Sequence, residues 1–278
     1  MTMVLIAATS YGLVTPLVKW ASLQGIDISW VTVGQYPIPL LGFWLGSRLN
    51  RERPLTRSER RWTILVGGAG GLTALTYYQS LKWLSGPVAI TLLFQFTWML
   101  PVISRIFGGS PLRRREMGAV AAIIGGTVLQ ILQLPNRWPL IGTGLGLLAG
   151  LSYAVALYGS SRFSESAPLW RRAFESTLFG AILILIGYRG WTFMGHMTRG
   201  WLWGSLIGLF SQFIPMLLIY RATPRLSHAA TAILASFELP VAVVVSWLVL
   251  KEPVPLVEWL GIGIMMIGIV VGSWPSEA

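Results

Sequence analysis

Read in windows of about 19 residues, the chain alternates long apolar runs with short polar connections. The runs lie near 3–19, 29–47, 62–82, 87–107, 115–133, 139–160, 169–188, 200–219, 227–250 and 256–274. Each is about the length of a helix that crosses a bilayer, and ten of them use about 200 residues. The pattern predicts an all-α polytopic membrane protein of ten transmembrane helices. It leaves no room for a soluble domain. The first span starts almost at Met1 with no Lys or Arg before it and no clear cleavage site. It therefore reads as a retained helix and not a signal peptide.

Composition agrees with the pattern. Of the 278 residues 54% are hydrophobic and only 11% charged, against about 25% charged in a soluble domain. Such hydrophobicity also excludes disorder. The absence of cysteine excludes disulfides, thiolate zinc sites, iron–sulfur clusters and cysteine nucleophiles.

The net charge of +11 suits either nucleic acid or a membrane surface, and the placement of the charges decides. Connections 2–3, 4–5, 6–7 and 8–9 hold 15 basic residues: Arg48, Arg51, Arg53, Arg57, Arg60, Arg61, Arg105, Arg113, Arg114, Arg115, Arg162, Arg171, Arg172, Arg221 and Arg225. The other connections hold 6: Lys19, Lys82, Arg137, Arg189, Arg199 and Lys251. An even number of spans puts both termini on one side, and the basic excess makes that side the cytoplasm. No basic platform interleaved with aromatics is visible, so nucleic acid is not a partner.

The chain repeats itself. A shift of 142 aligns Ala7, Ser10 and Tyr11 with Ala149, Ser152 and Tyr153, and Tyr78, Leu84 and Ser85 with Tyr220, Leu226 and Ser227. A shift of 139 pairs Leu100, Pro101 and Val102 with Leu239, Pro240 and Val241. A shift of 143 pairs Gly118, Ile124, Gly125 and Val128 with Gly261, Ile267, Gly268 and Val271. Each half, 1–134 and 135–278, then holds five spans. Because five is odd, the second half sits inverted relative to the first. Inverted halves are a transporter architecture, with the substrate site near the midplane between them. Glycines four apart (Gly142, Gly146 and Gly150; Gly67 and Gly71; Gly204 and Gly208; Gly268 and Gly272) line single helix faces and read as close-packing positions.

The segments Tyr78–Val128 and Tyr220–Val271 resemble the EamA domain of the drug/metabolite transporter superfamily. The second carries the closer match: a Tyr, small residues, the Pro240 segment, then Lys251-Glu252-Pro253 before a Gly-rich last helix. The first departs from it, with Gly108-Gly109-Ser110-Pro111 where the acidic residue would stand. Tyr11-Gly12 through Pro16 and Lys19 is similar to the family's first helix. The resemblance implies ten helices, inverted repeats, cytoplasmic termini and movement of small metabolites. It implies no particular substrate.

Polar residues inside spans are costly and are the site candidates. Of the ten acids, Asp27, Glu52, Glu59, Glu116, Glu165, Glu252, Glu258 and Glu277 fall in or near connections, and Glu175 lies two turns inside the seventh span. Only Glu238 is near the middle of a span, two residues before Pro240, which frees a backbone carbonyl one turn back. It reads as a proton-coupling carboxylate or a counter-charge for a cationic substrate group. The plainer role is helix packing. Trp98 lies near the middle of the fourth span, on one face with Gln95. The repeat pairs it with Phe237, so Gln95–Trp98 and Leu234–Glu238 would face one cavity. Tyr11 with Tyr153, Tyr78 with its mate Tyr220, and Gln35, Gln79 and Gln212 are further candidates, although amides also join helices. Most other Trp residues mark the membrane interfaces. His196 and His228 lie far apart, form no metal site and are expected at the surface.

No phosphate loop, HExxH or Ser–His–Asp set is present, so no cofactor and no enzyme activity is expected. The expectation is an inner-membrane secondary transporter, a permease or exporter, working by alternating access. Its expected partners are a small-molecule substrate of the amino-acid or related amphipathic kind, the lipid bilayer, and protons as the candidate coupling ion. Monomer and homodimer stay open. The alternative is a flippase for a lipid or lipid-linked substrate.

Overall fold

The computed structural model describes residues 1–84, 86–107, 109, 113–131, 139–188, 199–251 and 254–273. Arg137, Trp138, Arg189, Trp191, His196, Glu252, Pro253, Trp274 and Glu277 lie outside them, as do Ser85, Gly108, Ser110 and Pro111. All described elements are helical: α1 Thr2–Leu23, α2 Ile28–Gly34, α3 Pro37–Leu49, α4 Arg57–Ser80, α5 Gly86–Leu93, α6 Phe96–Ile106, α7 Arg114–Ile131, α8 Leu140–Ser160, α9 Leu169–Gly187, α10 Arg199–Gly208, α11 Ile214–Ala222, α12 His228–Ala235, α13 Glu238–Leu250 and α14 Leu256–Ser273. Among the described residues five stretches are long and apolar enough to cross a membrane: Thr2–Leu23, Val88–Ile106, Leu140–Ser160, Arg199–Arg225 and His228–Leu250. Helices α4, α7 and α9 begin with clustered charges, and the second expected span is split in two. The chain is an all-α membrane protein.

Prolines explain three of the breaks, because a proline cannot donate to the carbonyl four residues back. Pro37 starts α3 after the break at Gln35–Tyr36. Pro215 denies the Ser211 carbonyl its usual partner, and the turn Leu209–Phe213 widens into a π-helix. Pro240 does the same to Ser236, and the chain turns at Ser236–Phe237 before α13. Carbonyls at the breaks take further donors. The Ser10 hydroxyl donates to the Phe210 carbonyl at 2.8 Å, and the Leu239 amide donates to the Ser236 carbonyl at 3.3 Å.

Packing follows the repeat. Helix α1 packs on α11 and α13, and its counterpart α8 packs on α4 and α6. Helix α2 packs on α10, and α9 packs on α4; α7 packs on α14, and α6 on α12. Exchanging the two halves maps the α1 and α8 pairings onto each other, likewise α2–α10 and α9–α4, and α7–α14 onto itself; α6–α12 would map onto α5–α13, which is not a main contact. Thr97 and Ser236, mates at a shift of 139, bring their hydroxyls to 3.1 Å where α6 meets α12. Ser10 and Ser152, mates at 142, each bond across to the other half, Ser10 to the Phe210 carbonyl and Ser152 to the Thr73 hydroxyl at 2.9 Å.

The close approaches lie at the spaced glycines. A Cβ on Gly71 would meet the Gly180 backbone at 2.8 Å, and one on Gly208 would collide with the Gln35 carbonyl. Gly142, Gly146 and Gly150 seat α8 on Trp83, Leu84, Leu92 and Leu93. Gly68 faces open space. At the basic end, α4 starts with a capping box: Thr56 accepts from the Glu59 amide at 3.2 Å, and Glu59 accepts from the Thr56 amide at 2.8 Å. Arg53 donates to both Glu59 oxygens at 2.7 and 2.8 Å. That pairing, more than the cap, holds the Glu59 carboxyl down at about 2.

Gly208→Ala is expected to destabilise the protein by about 1–3 kcal/mol, because backbone must move. Gly68→Ala is expected to be neutral or stabilising by up to about 1 kcal/mol. Thermal unfolding followed by tryptophan fluorescence checks both. A folded-state value for Glu59 below its unfolded value means stabilisation that is present above about pH 4.5 and lost as pH falls toward 2. Glu59→Gln should therefore flatten the acid limb of the stability profile. An unchanged limb would remove Glu59 from it.

Candidate functional site

A largely apolar cavity of about 160 Å³, with a few polar groups in its wall, lies between the halves. Tyr11, Val14 and Thr15 of α1 line it with Gln35 at the α2–α3 break, Thr73, Tyr77 and Tyr78 of α4, and Tyr153 and Ala156 of α8. Ser211 and Gln212 of the π turn, Met216 and Tyr220 of α11, and Glu238 at the start of α13 complete the wall. Irregular backbone therefore supplies Gln35, Ser211, Gln212 and Glu238. Non-helical backbone at membrane depth is tolerated where protein or a cavity covers it.

Glu238 carries the one acid of the cavity. It is 8% exposed, and among the described residues no side chain donates to or pairs with its carboxyl group. Gly12 lets α1 approach it: a Cβ there would lie 2.7 Å from the Glu238 carbonyl and 2.6 Å from the Val241 Cβ. Gln35 is buried and has its amide engaged, accepting from the Ser211 hydroxyl at 2.9 Å and donating to the Thr32 carbonyl at 3.2 Å. Tyr11 and Tyr153 meet edge to face at 6.2 Å, and Tyr153 meets Phe96 at 4.7 Å. The Tyr153 hydroxyl is buried without a hydrogen-bond partner among the described residues. The cavity thus offers a carboxyl group and a phenol hydroxyl free for a ligand, within mostly aromatic walls.

Two further cavities adjoin this one. Toward the end bearing Lys19 and Ser22, a cavity of about 250 Å³ shares Val14, Thr15, Tyr77 and Tyr78 with it. Toward the basic end, a vestibule of about 700 Å³ shares Tyr220 with it. Tyr78 and Tyr220 are repeat mates, so related residues wall the central cavity at its two ends.

Of the sequence candidates, Glu238, Tyr11, Tyr153, Tyr78, Gln35 and Gln212 meet in the cavity. Trp98, Gln95, Gln79 and Phe237 lie off it. Trp98 is 38% exposed on α6, and its indole N–H donates to Gln95 Oε1 at 2.9 Å. Gln95 also donates to the Thr91 carbonyl at 3.2 Å, and Phe237 packs on the main core. Tyr77, Thr15, Thr73 and Ser211 were not among the candidates. Tyr77 follows the helix face of Thr73, four residues earlier, and that spacing was the available signal.

His228 is half-buried and not a surface residue. Its Nδ1 lies 2.9 Å from the Ser104 hydroxyl and its Nε2 2.7 Å from that of Ser161. The ring stacks on Tyr158 at 5.0 Å. It ties α12 to the ends of α6 and α8. Glu175 pairs with Arg60 and Arg171, each at 3.3 Å. No group of three metal-ligating side chains occurs among the described residues.

Apolar membrane-length helices around a cavity with one buried acid define a polytopic membrane protein. The model of the EamA-like transporter family matches residues 140–274. That stretch is thus similar to a domain of a transporter family. A solved crystal structure is similar over 98% of this chain and 98% of its own, with a TM-score of 0.77 at 14% identity. At that identity the likeness concerns the fold alone. No curated protein matches the chain.

His228→Ala is expected to cost about 1–3 kcal/mol by removing two hydrogen bonds. Adding Ser161→Ala to that variant should cost almost nothing more, as the serine's partner is already gone. Additive losses in thermal unfolding would show that His228 and Ser161 act independently.

Proposed function

We propose that the protein is a secondary transporter that moves a small amphipathic metabolite across the inner membrane, by export driven through proton coupling or exchange. The halves 1–134 and 135–278 act as inverted five-span repeats, giving ten transmembrane spans with both termini in the cytoplasm. Support for this arrangement comes from the α1, α8, α2, α9 and α7–α14 pairings, which survive exchange of the halves, and from the 15 to 6 distribution of basic residues. The observation that carries the reading is Glu238: a buried carboxyl group open to a cavity between the halves, with no partner of its own.

Alternating access follows from the three adjoining cavities. Tyr220 separates the central cavity from the cytoplasmic vestibule, and its mate Tyr78 separates it from the outer cavity. Rocking of one half against the other withdraws one tyrosine wall while the other stays closed. The Tyr220 hydroxyl is held 2.7 Å from that of Ser176, and its carbonyl accepts from Arg172. The inner wall is thereby anchored to α9. Glu238 binds a proton or a cationic substrate group, one replacing the other as the cavity changes side. The aromatic walls receive the apolar part of the metabolite.

Flux of a metabolite panel into proteoliposomes under an imposed pH gradient tests this reading. Glu238→Gln should abolish gradient-dependent flux while leaving expression and folding intact. Unchanged pH dependence would remove Glu238 from coupling.

A further inference from the structure

The vestibule at the basic end contains a cation that the central site does not use. Arg172, one turn into α9, is 2% exposed and lines this vestibule. One nitrogen, Nη2, donates to the Tyr220 carbonyl. The guanidinium lies over the rings of Phe163 and Tyr220, 4.8 and 4.9 Å from their centroids. Both Nε and Nη1 are buried with no acceptor among the described residues, and together they carry three N–H bonds. Cation–π contact offsets only part of the cost of burying such a charge.

The carboxylates around it are committed elsewhere. Glu52 accepts from the amides of Trp170 and Arg171 at 3.1 and 2.7 Å, capping α9. Glu165 pairs with Arg225 at 2.7 Å, and Glu59 with Arg53. The vestibule thus has a fixed, buried cation at its floor whose remaining donors lack a protein acceptor. At a shift of 142 the counterpart of Arg172 is Trp30, so the feature belongs to one end only.

We propose that Arg172 forms an anion site at the floor of the vestibule, which takes the carboxylate of a small organic acid or zwitterion beside Tyr220. A monoanion matches the one buried guanidinium: of the other vestibule cations, Arg53 and Arg225 are paired with Glu59 and Glu165, and Arg221 is exposed. On the transport reading, this site receives the carboxylate end of the metabolite from the cytoplasm, and the central cavity receives the rest. Only the ligand's onward path rests on that reading; binding is measurable without flux.

The absence of cysteine makes the test clean. Ser166→Cys, exposed in the vestibule wall, is labelled with an environment-sensitive fluorophore in the detergent-solubilised full chain. Benzoate should give a saturable signal, and its neutral isostere benzamide should give none. Arg172→Gln should weaken benzoate binding at least about tenfold, and Arg172→Lys should weaken it less. If Arg172→Gln does not fold, Arg172→Lys and the contrast between benzoate and benzamide in the parent carry the test. Equal responses to the two probes, tighter binding of inorganic phosphate than of benzoate, or benzoate binding unaffected in the Arg172 variants would each overturn the proposal. Glu238→Gln should keep the benzoate response. Saturable benzoate binding in a parent that carries no panel metabolite would overturn the transport reading alone, and flux without benzoate binding would overturn this proposal alone.

Discussion

A backbone inside an apolar medium must satisfy its own N–H and C=O groups, and the rest of this structure depends on that constraint. It explains why every described element is a helix and why the interruptions are few. Pro37, Pro215 and Pro240 each remove a donor, and each interruption lies where protein groups cover it. The Phe210 carbonyl takes the Ser10 hydroxyl, and the Ser236 carbonyl takes the Leu239 amide. The cost of a broken helix is met by its neighbours, and those neighbours surround one cavity.

Local irregularity thereby becomes a site. Gln35 follows the end of α2, Ser211 and Gln212 sit in the π turn, and Glu238 starts α13. Straight helices would project such side chains at regular intervals along their faces. The breaks instead gather them at one level, between halves that touch through glycines such as Gly71 and Gly208. Symmetry then supplies two ends, and the repeat mates Tyr78 and Tyr220 stand at them. Departure from symmetry supplies a difference between the ends: Arg172 at one and Trp30 at the corresponding position of the other.

The helical class was legible from hydropathy, and a few Tyr, Ser, Pro and Gly positions suggested the proposed exchange of halves. Glu238 stood out because it is the one acid near the middle of a span, and Pro240 marked its broken helix. Trp98 was harder to place. Its repeat mate adjoins Glu238, but Trp98 turns outward and bonds Gln95, since related positions on either side of a break need not share a direction. His228 illustrates another limit: its partners Ser104 and Ser161 are 124 and 67 residues away, and no local pattern encodes that meeting. Arg172 counted in the sequence only as one more basic loop residue; its burial against Phe163 and Tyr220 depends on how α9 packs.

The central claim is that the cavity holding Glu238 is a path reached from both faces of the membrane. Ala156 lines it on α8, and Ala156→Cys places a single small thiol there in a chain that has none. Its reaction rate with a membrane-impermeant thiol reagent is measured in oriented vesicles, from each side in turn. The account predicts reaction from both sides, with the two rates moving in opposite directions when a pH gradient is applied. Reaction from one side only, unaltered by the gradient, would contradict it.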